Sequence, residues 1–97
     1  MIIVQDYFVC RPGFASKVAK TIKEAMVDDP NLIYVMTDMT GRFHRVIMVS
    51  KYDSLADWEK LMASYMNPPK EMKEAMEKMR GIQEMYWEGG REIYRVW

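Results

Sequence analysis

The stretch Leu32–Leu61, LIYVMTDMTGRFHRVIMVSKYDSLADWEKL, limits what this chain can fold into more than any other. Two β-branched and aromatic runs, Leu32 to Met39 and Phe43 to Tyr52, flank Thr40-Gly41-Arg42. That connection is short enough for a hairpin, with Gly41 free to take a positive φ. Ser54 then opens a helix, with Asp57 three residues on in a capping-box-like relation. Leu55, Trp58, Leu61, Met62 and Tyr65 recur at helical spacing and form its apolar face. A hairpin followed by an amphipathic helix buries little by itself, so the rest of the chain has to cover it.

The remainder supplies matching pieces. Ile2 to Cys10 is β-branched and aromatic and predicts the first strand, ended by Arg11-Pro12-Gly13. From Ala15 to about Asp28 the apolar residues Ala15, Val18, Ala19, Ile22, Ala25 and Met26 predict a helix, broken at Asp29-Pro30-Asn31. The second helix is interrupted at Asn67-Pro68-Pro69, because proline has no N–H to donate and restricts the residue before it. A further helical piece runs from about Pro69 to Arg80, with Met72, Ala75, Met76 and Met79 as its inner stripe. Gly89-Gly90 reads as a turn or bulge, and Arg91 to Trp97 as the last strand.

The order is β-α-β-β-α-β in one domain over residues 1–97. Right-handed, uncrossed connections then favour a four-stranded antiparallel sheet in ferredoxin-like order, an α+β fold with helices on one face. Both sides of its strands are apolar. In the third strand Phe43, Ile47 and Val49 oppose Val46, Met48 and Tyr52; in the first, Ile3, Tyr7 and Val9 oppose Ile2, Val4, Phe8 and Cys10. Helices cover one face only, and a chain this short buries only about two-thirds of its unfolded surface. A homodimer formed sheet to sheet is the expectation.

Bulk properties remove several function classes. Lys plus Arg and Asp plus Glu number 14 each, so there is no basic excess for phosphate neutralisation and no nucleic acid is expected as a partner. No apolar run reaches the ~20 residues of a membrane span, and MIIVQDYF is unlike a signal peptide. The single Cys10 makes no intrachain disulfide and fits a reducing cytoplasm. The 11 methionines fall largely on inner helical faces, where the thioether is an adaptable core filler, and no metal is expected.

The strand-RPG-helix opening, the TDMTGRFHRVIMVSKYDSLADWE unit and the closing GREIYRVW resemble the dimeric α+β barrel superfamily, closest in its NIPSNAP-like and antibiotic-biosynthesis-monooxygenase-like branches. The resemblance spans essentially the whole chain through structural motifs. It implies a ferredoxin-like subunit, sheet-to-sheet dimerisation and a pocket between sheet and helices. Members include cofactor-independent monooxygenases, isomerases and haem-degrading enzymes, so the fold does not choose a chemistry. Haem-degrading members use an early Asn, a Trp and a helical His. This chain has Gln5 and Asp6 in that strand and its only histidine, His44, on a strand and not a helix, so no cofactor is expected.

Three constellations then qualify as sites. His44 is a candidate general base, with Asp6 to orient it from the neighbouring first strand; the plainer alternative is a partly exposed histidine near a hairpin. Tyr7, Phe8, Trp58, Met62, Tyr65 and Tyr94 are candidates to line a mostly apolar cavity, as ligand sites usually are; the alternative is that they are simply core. At one end of the sheet Arg11, Arg42, Arg45 and Arg91 gather near the first helix, and Arg42 in particular is a candidate anion ligand. The favoured alternative pairs these arginines with Asp38, Glu88 and Glu92 as a solvated rim. The leading functional reading is a homodimer that binds an apolar or aromatic small molecule and acts as a cofactor-independent monooxygenase or isomerase. The competing reading is a non-catalytic dimerisation module with a filled core.

Overall fold

The computed structural model describes residues 1–97. Its elements are β1 (Ile2–Cys10), α1 (Ala15–Ala25), β2 (Leu32–Thr37), β3 (Arg45–Tyr52), α2 (Leu55–Ser64), α3 (Lys70–Lys78) and β4 (Tyr86–Arg95), with a 3-10 turn at Arg80–Glu84. The four strands form one antiparallel sheet in the order β2-β3-β1-β4. This is the ferredoxin-like arrangement, with α2 and α3 forming the broken second helix. No helix is long and apolar enough to cross a membrane.

Registers place Phe8 opposite Val46 and Gly89, and Tyr7 opposite Ile47 and Gly90. Side chains alternate across a strand, so the Phe8 row and the Tyr7 row lie on opposite faces. The Phe8 face carries the core: Cys10, Val18, Ile22, Val46 and Ile82 are buried together, with Phe8, Val35, Met48 and Tyr86 packed against them. Val18 and Ile22, one helical turn apart, seat α1 on the sheet. The opposite face carries Ile3, Tyr7, Val9, Tyr34, Met36, Ile47, Val49 and Tyr94. Much of it is open to solvent, Tyr34 at 62% and Tyr94 at 47% exposure.

Four boundaries depart from the sequence reading. β2 stops at Thr37 and β3 starts at Arg45, so Phe43 lies outside the strand, 80% exposed. The cause is His44, whose φ of 64° lies in the left-handed region and cannot continue an extended ladder. α1 ends at Ala25, short of Asp28. β4 begins at Tyr86, so Gly89-Gly90 are paired strand residues and neither a turn nor a bulge; the irregularity of this ladder lies at Val9/Cys10 instead. Gly90 is in the strand for a packing reason. A Cβ there would sit 2.4 Å from Cζ of Tyr7, whose ring lies across the bare backbone.

α2 and α3 are seated less firmly than α1. Ser54 caps α2 as expected, its Oγ accepting from the Asp57 N–H at 3.2 Å. Neither helix contains a fully buried residue. Trp58, Leu61, Met62 and Tyr65 face the sheet half-buried, whereas Met76 of the expected α3 inner stripe is 44% exposed.

A candidate ligand cleft under the second helix

The gap beneath α2 is a cleft of about 550 Å³. Its floor is the sheet and its roof is α2. Phe8, Met48, Trp58, Leu61, Met62 and Tyr86 make most of its surface apolar. The polar groups gather at one corner. Asp6 accepts a hydrogen bond from Arg91 Nε at 2.5 Å, pairing β1 with β4 across the register Asp6↔Arg91. The Arg91 guanidinium lies 5.2 Å from the Trp58 ring centre, a cation–π contact that ties α2 to the edge strand. Asp6 is 15% exposed at its side chain and Arg91 43%, so the pair looks into the cleft from its wall.

Two phenols also line the cleft, Tyr65 at the end of α2 and Tyr52 four rungs along β3 from Met48. Burial, with Asp29, Tyr65 and Asp6 adding negative potential, pushes the Tyr52 hydroxyl up to about 12. Burial also raises Tyr65, again reinforced by Asp29 and Asp6. Both therefore stay protonated at neutral pH and are hydrogen-bond donors. The cleft combines a neutralised ion pair, two donating phenols and an apolar wall, which suits a neutral flat molecule carrying an oxygen acceptor.

The candidates named from sequence divide between this cleft and other places. Phe8, Trp58, Met62 and Tyr65 line it, and Asp6 is at its polar corner. Tyr7 borders it, but strand alternation places its side chain on the opposite face, with the ring over Gly90. Tyr94 lies on that outer face too, opposite Ile3 and donating its hydroxyl hydrogen to Glu92. Asp6 does not orient His44. Asp6 is opposite Met48, and His44 is four residues further along, about 13 Å at strand spacing. His44 and Arg42 instead border a separate depression of about 240 Å³ at the β2–β3 connection.

The arginine cluster is resolved into pairs. Arg42 meets Glu88 at 2.8 Å, Arg45 meets Asp38 at 3.2 Å, and Arg11 donates to the Glu84 carbonyl at 3.1 Å. Arg91 belongs to the cleft and not to that rim. This is the residue sequence reasoning misplaced, because β4 begins earlier than its glycines suggested. Tyr52 and Asp29 were missed as well. Tyr52 is the last residue of β3 on the Met48 face, a position that periodicity alone marks as ordinary core. Cys10 is buried, its thiol pushed up by that burial, and it is no nucleophile in this setting.

Sheet order, helix placement and a cleft between them define a ferredoxin-like α+β domain. No protein-family model and no curated protein matches the sequence. Solved structures do match over nearly its full length. A NIPSNAP family protein from Agrobacterium tumefaciens C58 superposes with a TM-score of 0.78 at 16% identity, covering 97% of this chain and 90% of that one. An uncharacterized NIPSNAP-like domain protein from Burkholderia xenovorans gives 0.78 at 18% identity over 99% and 84%. A candidate antibiotic biosynthesis monooxygenase from Nitrosomonas europaea gives 0.62 at 11% identity over 99% and 98%. The chain thus has the fold shared by NIPSNAP and antibiotic-biosynthesis-monooxygenase-like proteins, the resemblance read from its sequence. At these identities the likeness is one of fold.

Proposed function

We propose that this protein binds a neutral aromatic or apolar small molecule in the cleft beneath α2, and does so as a homodimer packed through the outer sheet face. The observation that carries the reading is the unequal seating of the helices. α1 buries Val18 and Ile22 completely, whereas α2 buries nothing completely above an apolar cleft of about 550 Å³. A void of that size lined by aromatic and methionine side chains forgoes dispersion contacts that a ligand restores. It argues against a module whose core is filled. The exposed outer face, with Tyr34, Met36 and Tyr94 in solvent, supports the second copy.

The test uses a chain in which Trp87 and Trp97, both exposed, are replaced by Phe, leaving Trp58 as the single fluorophore. Titration with 1-naphthol or menadione is expected to quench Trp58 saturably, at one ligand per chain. Quenching that stays linear and equals that of free tryptophan would refute the site.

A catalytic version of this reading is favoured by Asp6 at the polar corner, and by the fold held in common with candidate monooxygenases. A bound phenol passes its proton to Asp6, and Arg91, released from the neutral acid, holds the phenolate. The substrate itself then reduces dioxygen: one phenol and one O₂ give one quinone and one water, with no added cofactor. Oxygen consumption in the presence of a phenol, abolished in Asp6→Asn, is the expected result. Equal consumption by the variant would remove Asp6 from the chemistry.

A further inference from the structure

The cleft under α2 has a neighbour on the far side of one wall. A second cavity, about 390 Å³, lies between the C-terminal end of α1 and α3. The two share one wall, to which Met26, Asp29, Leu61, Tyr65 and Met79 contribute. All five are half-buried, and none is among the fully buried core residues. Two of them are methionines, unbranched side chains that change rotamer at little cost. Leu61 and Tyr65 hang from α2 and its end, where no residue is fully buried, whereas Met26 and Met79 rest on one side against the buried core cluster.

We propose that the ligand of this cleft is elongated: a flat head beside Trp58 and Arg91, and an aliphatic tail that passes between Met26 and Met79 into the groove between α1 and α3. The inference rests on the ligand-binding reading above and adds the shape of the molecule. Charge sets its direction. Asp28, Asp29, Glu71 and Glu74 surround the far groove against Lys78, so an anionic end is repelled there, whereas the groove wall of Ala75, Met72 and Met76 suits methylenes. The head belongs beside Trp58, where the Asp6–Arg91 ion pair is neutralised, with Tyr65 on the shared wall able to donate to a carbonyl or hydroxyl at its inner edge. A neutral ring ketone, quinone or phenol with an alkyl chain fits both ends.

The experiment measures affinity for para-methyl-, para-butyl- and para-octylphenol by Trp58 quenching in the chain lacking Trp87 and Trp97. Each methylene that enters the channel is expected to tighten binding by about fourfold. Ala75→Phe fills the far groove and is expected to weaken octylphenol selectively while leaving methylphenol unchanged. Met76→Glu, at an exposed position that does not threaten folding, is expected to weaken octylphenol in the same selective way. Saturable binding of all three phenols with no dependence on tail length overturns the inference and leaves the cleft intact. Tail-dependent binding indifferent to both substitutions places the tail elsewhere and overturns it too. Absence of saturable binding by any of the three refutes the cleft and the channel together.

Discussion

His44 shows how much one backbone angle can decide. Its φ of 64° sets the start of β3 at Arg45 and leaves Phe43 exposed outside the strand. A side-chain-bearing residue in that conformation costs about 1–2 kcal/mol, more if β-branched. His44→Gly is therefore expected to keep or slightly raise stability, and His44→Val to lower it by about 1–2 kcal/mol, by urea denaturation. A loss as large for glycine as for valine would mean that the imidazole, and not the backbone, holds the connection. Tyr52 makes a second prediction at this scale. Its hydroxyl ionises near 12 in the folded chain, above the ordinary value of 10, so the native state holds this proton more tightly than the unfolded state. Its contribution is intact below pH 10 and is lost as pH rises from 10 through 12. Tyr52→Phe is expected to flatten that part of the stability curve and to remove the latest phase of an alkaline absorbance titration at the phenolate band. An unaltered titration would show that Tyr52 ionises with the exposed tyrosines.

Among the elements, α2 is the one with the least holding it. Ser54 supplies its only side-chain cap, and Ser54→Ala is expected to cost about 1 kcal/mol. Amide exchange is expected to be faster through α2 and α3 than through α1, and to slow selectively when the cleft is occupied. Uniform protection of all three helices would contradict the seating described above. Element types and order were legible from the sequence because periods of two and of three to four residues separate strands from helices cleanly here. Ser54 and Asn67-Pro69 are chemical stop and start signals, and the structure uses both. What periodicity could not supply was register. Asp6 and His44 are on neighbouring strands, but only the ladder shows them four rungs apart. Gly89-Gly90 misled because glycine marks turns by its freedom and close packing by its lack of a Cβ, and a sequence does not say which applies. Trp58 was legible as a cleft-lining residue because an aromatic on an apolar helix stripe has to face something, and here it faces a gap.

At the scale of the whole molecule, only nine residues are fully buried. Tyr34, Met36 and Tyr94 of the outer sheet face remain in solvent in the single chain. Sedimentation at micromolar concentration is expected to give a dimer. Ile47→Lys or Met36→Lys, on the outer face and away from the core cluster, is expected to give a folded but monomeric species. A wild-type monomer at that concentration would remove the dimer from the proposal.

With the cleft filled as proposed, the lightly seated second helix would tie the persistence of the protein to its supply of ligand. Occupancy at a hundredfold excess over the dissociation constant adds about 2.7 kcal/mol to the folded state. In a domain of this size each kcal/mol raises the melting temperature by roughly 4–8 °C. The empty chain would then be the short-lived form, and the filled chain the form that accumulates. A cell would adjust the amount of this protein to the amount of the compound without any regulator: degradation would do the sensing.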